Sequence, residues 1–460
     1  MHFDAEFDVL VVGAGGCGLT AAIAAKSSDQ KIQVAILEKT NRLMGNTMLS
    51  SGSIPAANTR FQRAAGIQDS PEAMIDDLNH ITGEHDVTDI THKLAFISAE
   101  LIEWLVDVAN VDMTLVETYK HIGHSVHRLH SPPSRRGADL MHDLSRTADS
   151  MEIPIAYGNA VTELVVSAEG AVTGLVTKTI DGRVTTLSAK SVILATNGFG
   201  ANRELLSQFC PSISHANYGG SPSSQGEAIT WGVGLGAALA NMGAYQAHAS
   251  LAEPHGSLVT WTIIEKGGII VDSRGCRFGN ETIGYSAFAE LELEQQGPFY
   301  MIADSKVRDV TANGQPEYAE LCNTGGVVQC HTLGELASHL EMNENIISQT
   351  INEAVFSASS GQPDKFGRSN WGLGPLSAPF CFTRITPALF HTQGGLHVDD
   401  QARVLRPDGS HIKGLFAGGG AAAGISGLKG GAGYVSGNGL LTALGLGYLA
   451  GKSSVTDFYE

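Results

Sequence analysis

The chain has 460 residues, enough to bury a large core and, by length alone, to form two domains. Hydrophobic residues make up 43% and charged residues 17%, the balance of a globular protein rather than a disordered one. A formal charge of -18 argues against nucleic acid or an anionic membrane as partner, since both are bound through clustered Lys and Arg; a small-molecule ligand is expected.

The strand-like run FDVLVV (7 to 12) leads into a glycine turn, Gly13-Ala14-Gly15-Gly16-Cys17-Gly18, and then into a helix beginning LTAAIAA (19 to 25). A second apolar strand, VAIL (34 to 37), ends in Glu38. Strand, glycine turn, helix, strand and an acid about 20 residues further on make up the dinucleotide fingerprint. In this context Gly13 permits the tight turn, Gly15 lets backbone N–H groups approach a pyrophosphate, and Gly18 lets helix and strand pack closely. Glu38 is the expected partner of a ribose hydroxyl, with Gly16 and Lys39 flanking these contacts.

Six cysteines, at 17, 210, 276, 322, 330 and 381, form no CxxC pair and no metal-ligand spacing, so a reduced cytoplasmic protein without a metal is expected. The opening MHFDAEFDVLVV has acids where a secretory signal needs basic and apolar stretches. Glycines, Lys429 and Asn438 interrupt the apolar tract from 414 to 451, which is therefore not expected to span a membrane.

A helical section (74 to 111) is followed by two β-rich stretches, 160 to 179 and SVILATNG (191 to 198). Near 240 the pattern shifts to short strands mixed with a helix-like run at 333 to 357, and glycine-rich sequence then resumes to the end. The expected fold is α/β (α+β overall). A Rossmann-like nucleotide domain, 1–240 and 368–460, is interrupted by an inserted α+β cap domain, 241–367.

Only one full fingerprint is present, so a second site for NAD(P) is not expected. VILATNGFG (192 to 200) and GLFAGGG (414 to 420) are strand-then-glycine elements, and with the N-terminal motif they resemble the three FAD-contacting segments of large flavoproteins. The chain is identified as a member of the fumarate reductase and 3-ketosteroid dehydrogenase flavoprotein group. The resemblance runs through GNTMLSSGSIPAA (45 to 57), GEAITWGVGLGAALANMGAYQAH (226 to 248), GGIIVDSRGCRFGNE (267 to 281) and FHTQGGLHVD (390 to 399). It implies non-covalent FAD, with further contacts at Gly45, Asn46, Thr47, Ser51, Gly52, Ala160, Val161, Thr196, Asn197, Gly198, Gly419, Gly420, Gly437, Asn438 and Leu440.

In the group's fumarate reductases, histidines of a QAH and an HxxGG motif hold substrate carboxylates; His248 and His391 match them. The proton-delivering arginine of those enzymes is replaced by Tyr285, and its upstream glutamate and arginine by Trp261 and Ile264. Tyr285 instead matches the tyrosine with which ketosteroid dehydrogenases remove a proton beside a ketone. A phenol is a weak base at neutral pH, so a nearby cation or donor, with His248 as the candidate, is expected to stabilise phenolate. Enolate stabilisation falls, by the same resemblance, to Gly433 with either Lys429 or Tyr434, the register being open because of the glycines. Gly420 stands where many relatives place an acid against the ribityl chain.

The run HIGHSVHRLH spaces His121, His124, His127 and His130 by three, which matches no closed ligand set. In the following SPPSRRG loop, Arg136 is a candidate anchor for an acidic substrate.

These features together predict an FAD-dependent desaturase of a small cyclic ketone or keto acid, similar to enzymes that desaturate cyclohexanone or 4-oxocyclohexanecarboxylate. The alternatives are a reductase or dehydrogenase of a small di- or tricarboxylic acid, a 3-ketosteroid dehydrogenase, and a flavoprotein retained for ligand binding or redox alone. Without a CxxCH motif or iron–sulfur cysteines, electrons are expected to leave to oxygen, a quinone or a separate carrier.

Overall fold

The computed structural model describes residues 2–456 and Phe458. The opening pattern folds as β1 (Ala5–Val12), α1 (Gly16–Ser28) and β2 (Val34–Glu38). β2 is buried along its whole length and β1 over its last four residues, as suits parallel strands covered on both faces. α2 (Pro71–Thr82), α3 (Thr88–Asp107), β3 (Ile155–Tyr157), β4 (Asn159–Val166), β5 (Val172–Thr179) and β6 (Val184–Leu194) follow. The next group is β7 (Gly243–Ala252), α4 (Thr262–Glu265), β8 (Ile269–Val271), α5 (Tyr285–Leu293), β9 (Phe299–Asp304), α6 (Pro316–Asn323), β10 (Val328–Cys330) and β11 (Phe380–Thr392). The chain ends with β12 (Arg403–Leu405), β13 (His411–Ala417) and α7 (Asn438–Thr456).

Among the described residues, the first sheet has eight strands, in the order β12-β13-β6-β1-β2-β3, with β5 joined to β6 and β4 to β5. Its register aligns four strand ends: Val12 lies opposite both Leu37 and Leu194, and Leu194 opposite Ala417. Four connections, beginning at Gly13, Lys39, Ala195 and Gly418, therefore open along one edge, at the carboxyl ends of parallel strands where α/β proteins bind ligands.

The C-terminal glycines have a packing role. In α7, a Cβ added to Gly447 would stand 2.5 Å from the Cys17 carbonyl oxygen and one added to Gly451 2.2 Å from that of Ala21, so α7 lies directly on α1. Among the described residues, no helix is long and apolar enough to cross a membrane.

The second sheet has β11 at its centre, antiparallel to β7, β9 and β10, with β8 beyond β9. β11 lies after residue 368, so this sheet draws on chain beyond the 241–367 segment, and its last residues run into the cleft. A buried ion cluster fixes the turn before α5. The Glu281 carboxylate accepts from Arg277 Nη2 at 2.6 Å and Arg368 Nη1 at 3.0 Å, and Arg277 Nη1 also donates to Asp364 at 2.6 Å. Glu281 also takes the Ile270 N–H, tying the turn to β8. Four residues later α5 starts at Tyr285, capped by Gly284 at φ 105°.

Candidate functional site

The aligned strand ends floor a cleft, which continues beneath the second sheet. At the glycine turn, Gly13 has φ 107°, and a Cβ there would fall 2.4 Å from the Ala195 carbonyl oxygen. Gly18 is equally constrained, because its Cβ would stand 1.9 Å from Gly13 O. Gly15 differs: nothing lies within 4 Å of its would-be Cβ, leaving backbone open to the cleft. Glu38 is buried, with its carboxylate taking the Ala14 N–H at 2.9 Å and the Thr40 N–H at 2.8 Å.

Gly13, Gly15, Gly16, Glu38, Lys39, Gly45, Asn46, Thr47, Ser51, Val161, Thr196, Asn197, Gly419, Gly420, Gly437 and Leu440 all line this space. Gly18, Gly52, Ala160, Gly198 and Asn438 stand behind the lining; Gly198, for instance, is backed by Thr392, whose Oγ1 would be 2.3 Å from a Cβ. Four lining groups, Thr196 Oγ1, Glu227 Oε2, Gln393 Oε1 and Thr442 Oγ1, are buried without a hydrogen-bond partner. Buried polar atoms are costly when unpaired, so the cleft suits a long polar ligand that supplies their partners. Lys39 is paired with Glu227 at this end. Gly420 carries no acid for a steric reason: its Cβ would stand 2.5 Å from Gly198 N and 2.7 Å from Asn197 Oδ1. Asn197, at φ 68°, occupies that place and donates to Ser224 Oγ at 2.8 Å.

Under the second sheet the lining becomes aromatic. His248 stacks on Tyr285 with ring centroids 4.5 Å apart, and Trp261 meets His248 edge-on at 5.9 Å. Tyr434 lies 6.1 Å from Tyr285 and 5.7 Å from His391, and Phe390 lies 5.9 Å from His248. Burial pushes the His248 imidazole down to about 3 and that of His391 to about 4, so both are neutral. The Ser250 N–H donates to His248 Nδ1 at 3.2 Å, which places the ring hydrogen on Nε2. His391 Nδ1 lies 3.0 Å from the Gln393 side-chain nitrogen. Tyr285 is 8% exposed, and burial, then the neighbouring Tyr434, raises its phenol well above the usual range, although the Ser436 hydroxyl works against this. Of the cation or donor expected beside Tyr285, His248 is an uncharged imidazole, while the Ser436 hydroxyl is a group that favours the phenolate.

Tyr434 lines the cleft, with the Gly437 and Gly439 N–H groups favouring its charged form against a larger desolvation penalty. The other enolate candidates do not reach this space. Lys429 is exposed, and its backbone pairs with Gly243 at the edge of β7. Gly433 is buried against Ser426, whose carbonyl oxygen would be 2.6 Å from a Cβ. Arg136 is exposed outside the lining and acts electrostatically on Glu317, which lies on α6 at the cleft.

The four spaced histidines serve four separate contacts. His121 Nδ1 lies 2.7 Å from Glu265 Oε1, and His124 Nε2 donates to Ser436 O at 2.8 Å. His127 Nδ1 donates to Tyr119 O at 3.1 Å, and His130 Nε2 meets Thr59 Oγ1 at 2.8 Å. Sequence reasoning missed Tyr119, His121, Gln315, Glu317, Tyr318 and Ser436 as lining residues, since no local motif marks them. A second group, Cys330, Glu335 and His339, brings three donor atoms within 4.8 Å of one another at the end of β10.

A dinucleotide cleft at parallel strand ends, covered by a second sheet with an aromatic pocket, defines a flavin oxidoreductase. The signature of the FAD binding domain family matches residues 8–436, so the chain belongs to that family. Its cofactor is FAD. It is 27% identical over 455 residues to the probable fumarate reductase Ifc3 of Shewanella frigidimarina, covering 97% of this chain and 74% of that one. An open-conformation flavocytochrome c3 fumarate reductase superposes with TM-score 0.82 at 25% identity, covering 100% of this chain and 79% of the other. The 3-ketosteroid-Δ4-(5α)-dehydrogenase of Rhodococcus jostii RHA1, in complex with 4-androstene-3,17-dione, gives TM-score 0.77 at 25% identity, covering 99% and 98%.

Proposed function

We propose that this chain desaturates a small, neutral cyclic ketone at the carbon pair beside the carbonyl, with residues 241–367 as its substrate cap and Tyr285 taking the α-proton. The observation that carries this reading is the lining around Tyr285: His248, Trp261, Phe390 and Tyr434 supply ring faces, and no Lys or Arg among the described residues lines that end. Ring faces favour an apolar cyclic substrate, whereas two neutral histidines offer a carboxylate hydrogen bonds without a compensating charge. A ketone therefore fits this pocket better than the keto acid suggested by the paired histidine motifs, and better than a di- or tricarboxylate. The His248 Nε2–H and the Tyr434 O–H are the donors assigned to the carbonyl oxygen as negative charge develops on it. FAD, when bound, supplies the acceptor for the hydride that leaves the neighbouring carbon. Oxygen, a quinone or a separate carrier then removes the electrons.

A second reading, reduction of a conjugated enone, is favoured by one observation: Tyr285 is held as the neutral phenol, the form that gives a proton to the α-carbon. Anaerobic stopped-flow bleaching of the oxidised flavin by cyclohexanone, 4-oxocyclohexanecarboxylate, a 3-ketosteroid and succinate tests direction and substrate together. Rapid bleaching by cyclohexanone is expected. Bleaching by none, with fast reoxidation of prereduced enzyme by cyclohexenone, would establish the second reading, and reoxidation by fumarate alone would overturn both.

A further inference from the structure

We propose that His121 and Glu265 form a proton relay for Tyr285, carrying the proton between the pocket and solvent across the seam between the first domain and the cap. This inference rests on the reading of Tyr285 as the proton-transferring residue.

A base that cannot keep a charge has to pass its proton on as it receives one. Tyr285 is in that position: its neighbours are the neutral ring of His248, Trp261, Tyr434 and the Ser436 hydroxyl, none of them cationic. The acceptor must therefore lie beyond it, on the same cleft. His248 is excluded, because its Nδ1 accepts the Ser250 N–H and its Nε2 carries the hydrogen. At Glu317 burial raises the carboxyl, with the exposed Arg136 a smaller opposing effect, and Glu265 rather than Glu317 is the carboxylate that acts on Tyr285.

His121 has the required form. A carboxylate only accepts, so the 2.7 Å contact fixes the hydrogen on Nδ1 and leaves the Nε2 lone pair free in the neutral ring. This is the division of labour of a carboxylate-oriented histidine base, in which the acid fixes the tautomer and stabilises the imidazolium that forms. The ring is held by Tyr119, 4.4 Å away, and Tyr119 carries the Arg135 guanidinium over its face at 5.0 Å. The pair is coupled to the pocket, since Glu265 and Tyr119 act electrostatically on the Tyr285 phenol and His121 on His248. It also reaches water: the His121 and Glu265 side chains are 14% and 26% exposed. Glu265 directly follows Ile264, one of the two positions where the fumarate reductase relay is replaced.

The substrate α-C–H bond breaks and its proton goes to the Tyr285 oxygen; the phenol's own proton passes to His121 Nε2; the hydride leaves the neighbouring carbon for oxidised FAD. His121 then gives its proton to water, and Tyr285 stays neutral before and after. The titratable groups facing His121 are Tyr119 and His124 on its own segment, Glu265 on α4 and His248 on β7.

The test uses FAD-loaded enzyme, with anaerobic flavin reduction by cyclohexanone followed in His121→Asn, Glu265→Gln and Tyr285→Phe. The relay predicts reduction about 10- to 100-fold slower in the first two, ketone affinity unchanged, and recovery of His121→Ala by added imidazole. A blocked Tyr285→Phe beside unimpaired His121→Asn and Glu265→Gln would overturn the relay and leave the proposed function standing. A fully active Tyr285→Phe would remove both. Should the substitutions disturb folding, the wild-type enzyme decides: flavin reduction is expected to slow in D2O, with a linear proton inventory for the one exchangeable proton in flight, that of the phenol, and the absence of any solvent isotope effect sinks the relay.

Discussion

The imidazole of His248 lies flat on the phenol ring of Tyr285, with centroids 4.5 Å apart and planes 13° from parallel. His248 comes from β7 and Tyr285 opens α5, so the strand and the helix packed on it meet at the proposed reacting pair. The stack joins two neutral rings, and the one fixed polar direction in it is the His248 Nε2–H left by the Ser250 contact.

Substituting His248→Phe keeps the flat ring and removes that donor. FAD content is expected to be unchanged, while kcat/KM for the ketone falls about 10²-fold, the scale of losing one oxyanion donor. Steady-state kinetics on the FAD-loaded variant check this, and an unaltered kcat/KM would take His248 out of the carbonyl contact.

Two glycines of one motif should fail in different ways. Gly18→Ala puts a methyl 1.9 Å from Gly13 O, so the strand, turn and helix must shift, and the melting temperature of cofactor-stripped protein is expected to drop by several degrees. Gly15→Ala meets no atom within 4 Å, so the stripped protein should melt as wild type does while FAD affinity falls at least about tenfold. Thermal melts with FAD titration separate the two, and a Gly15→Ala protein that binds FAD normally would move the pyrophosphate elsewhere.

The difference between these glycines shows which features were legible in the sequence. Gly13, Gly15, Gly18 and Glu38 are read from a local pattern, because one turn and the strand beside it impose the spacing. Tyr285 and His248 are found by motif, but their stacking is a tertiary fact. Lys429 and Gly433 show the limit of local reading: in GLKGGAGY the glycines permit several registers, and the fold resolves them by pairing Lys429 with Gly243. His121 and Glu265, 144 residues apart, share no periodicity at all. The three-residue spacing of the histidines matches no ligand set, and the loop turns each imidazole to a different partner. The residue span of the second sheet was blurred for a related reason, since β11 joins it from beyond residue 368.

Buried neutral imidazoles make the protein sensitive to acid. Burial lowers His124, His130 and His391 to about 4 and His248 to about 3, against 6.5 for an exposed histidine. Below pH 6.5 the unfolded chain takes up protons that these folded sites refuse, so the folded state loses stability as pH falls from 6.5 towards 4. Each such histidine contributes up to about 1.4 kcal/mol per pH unit. The melting temperature is expected to fall steeply across this window; a flat profile would show that these imidazoles ionise in place.

Glu292 gives the opposite dependence. It lies on α5, 1% exposed, with neither carboxyl oxygen hydrogen-bonded, and burial raises its carboxyl well above the usual 4.5. The folded protein therefore keeps a proton that the unfolded chain releases above pH 4.5, so stability from this site is fully present below that pH and is lost as pH rises towards the folded value. Glu292→Gln removes the titration, and Glu292→Met also removes the unpaired oxygens at similar volume. Both variants are expected to melt higher than wild type, Met by about 1 to 3 kcal/mol, the range for relieving a buried unsatisfied polar group. The sign test is the comparison of pH 5 with pH 8: the advantage of Glu292→Gln must be larger at pH 8. An equal advantage at both would mean that the carboxyl finds a partner in solution, and a disadvantage at pH 8 would mean that it is ionised and paired.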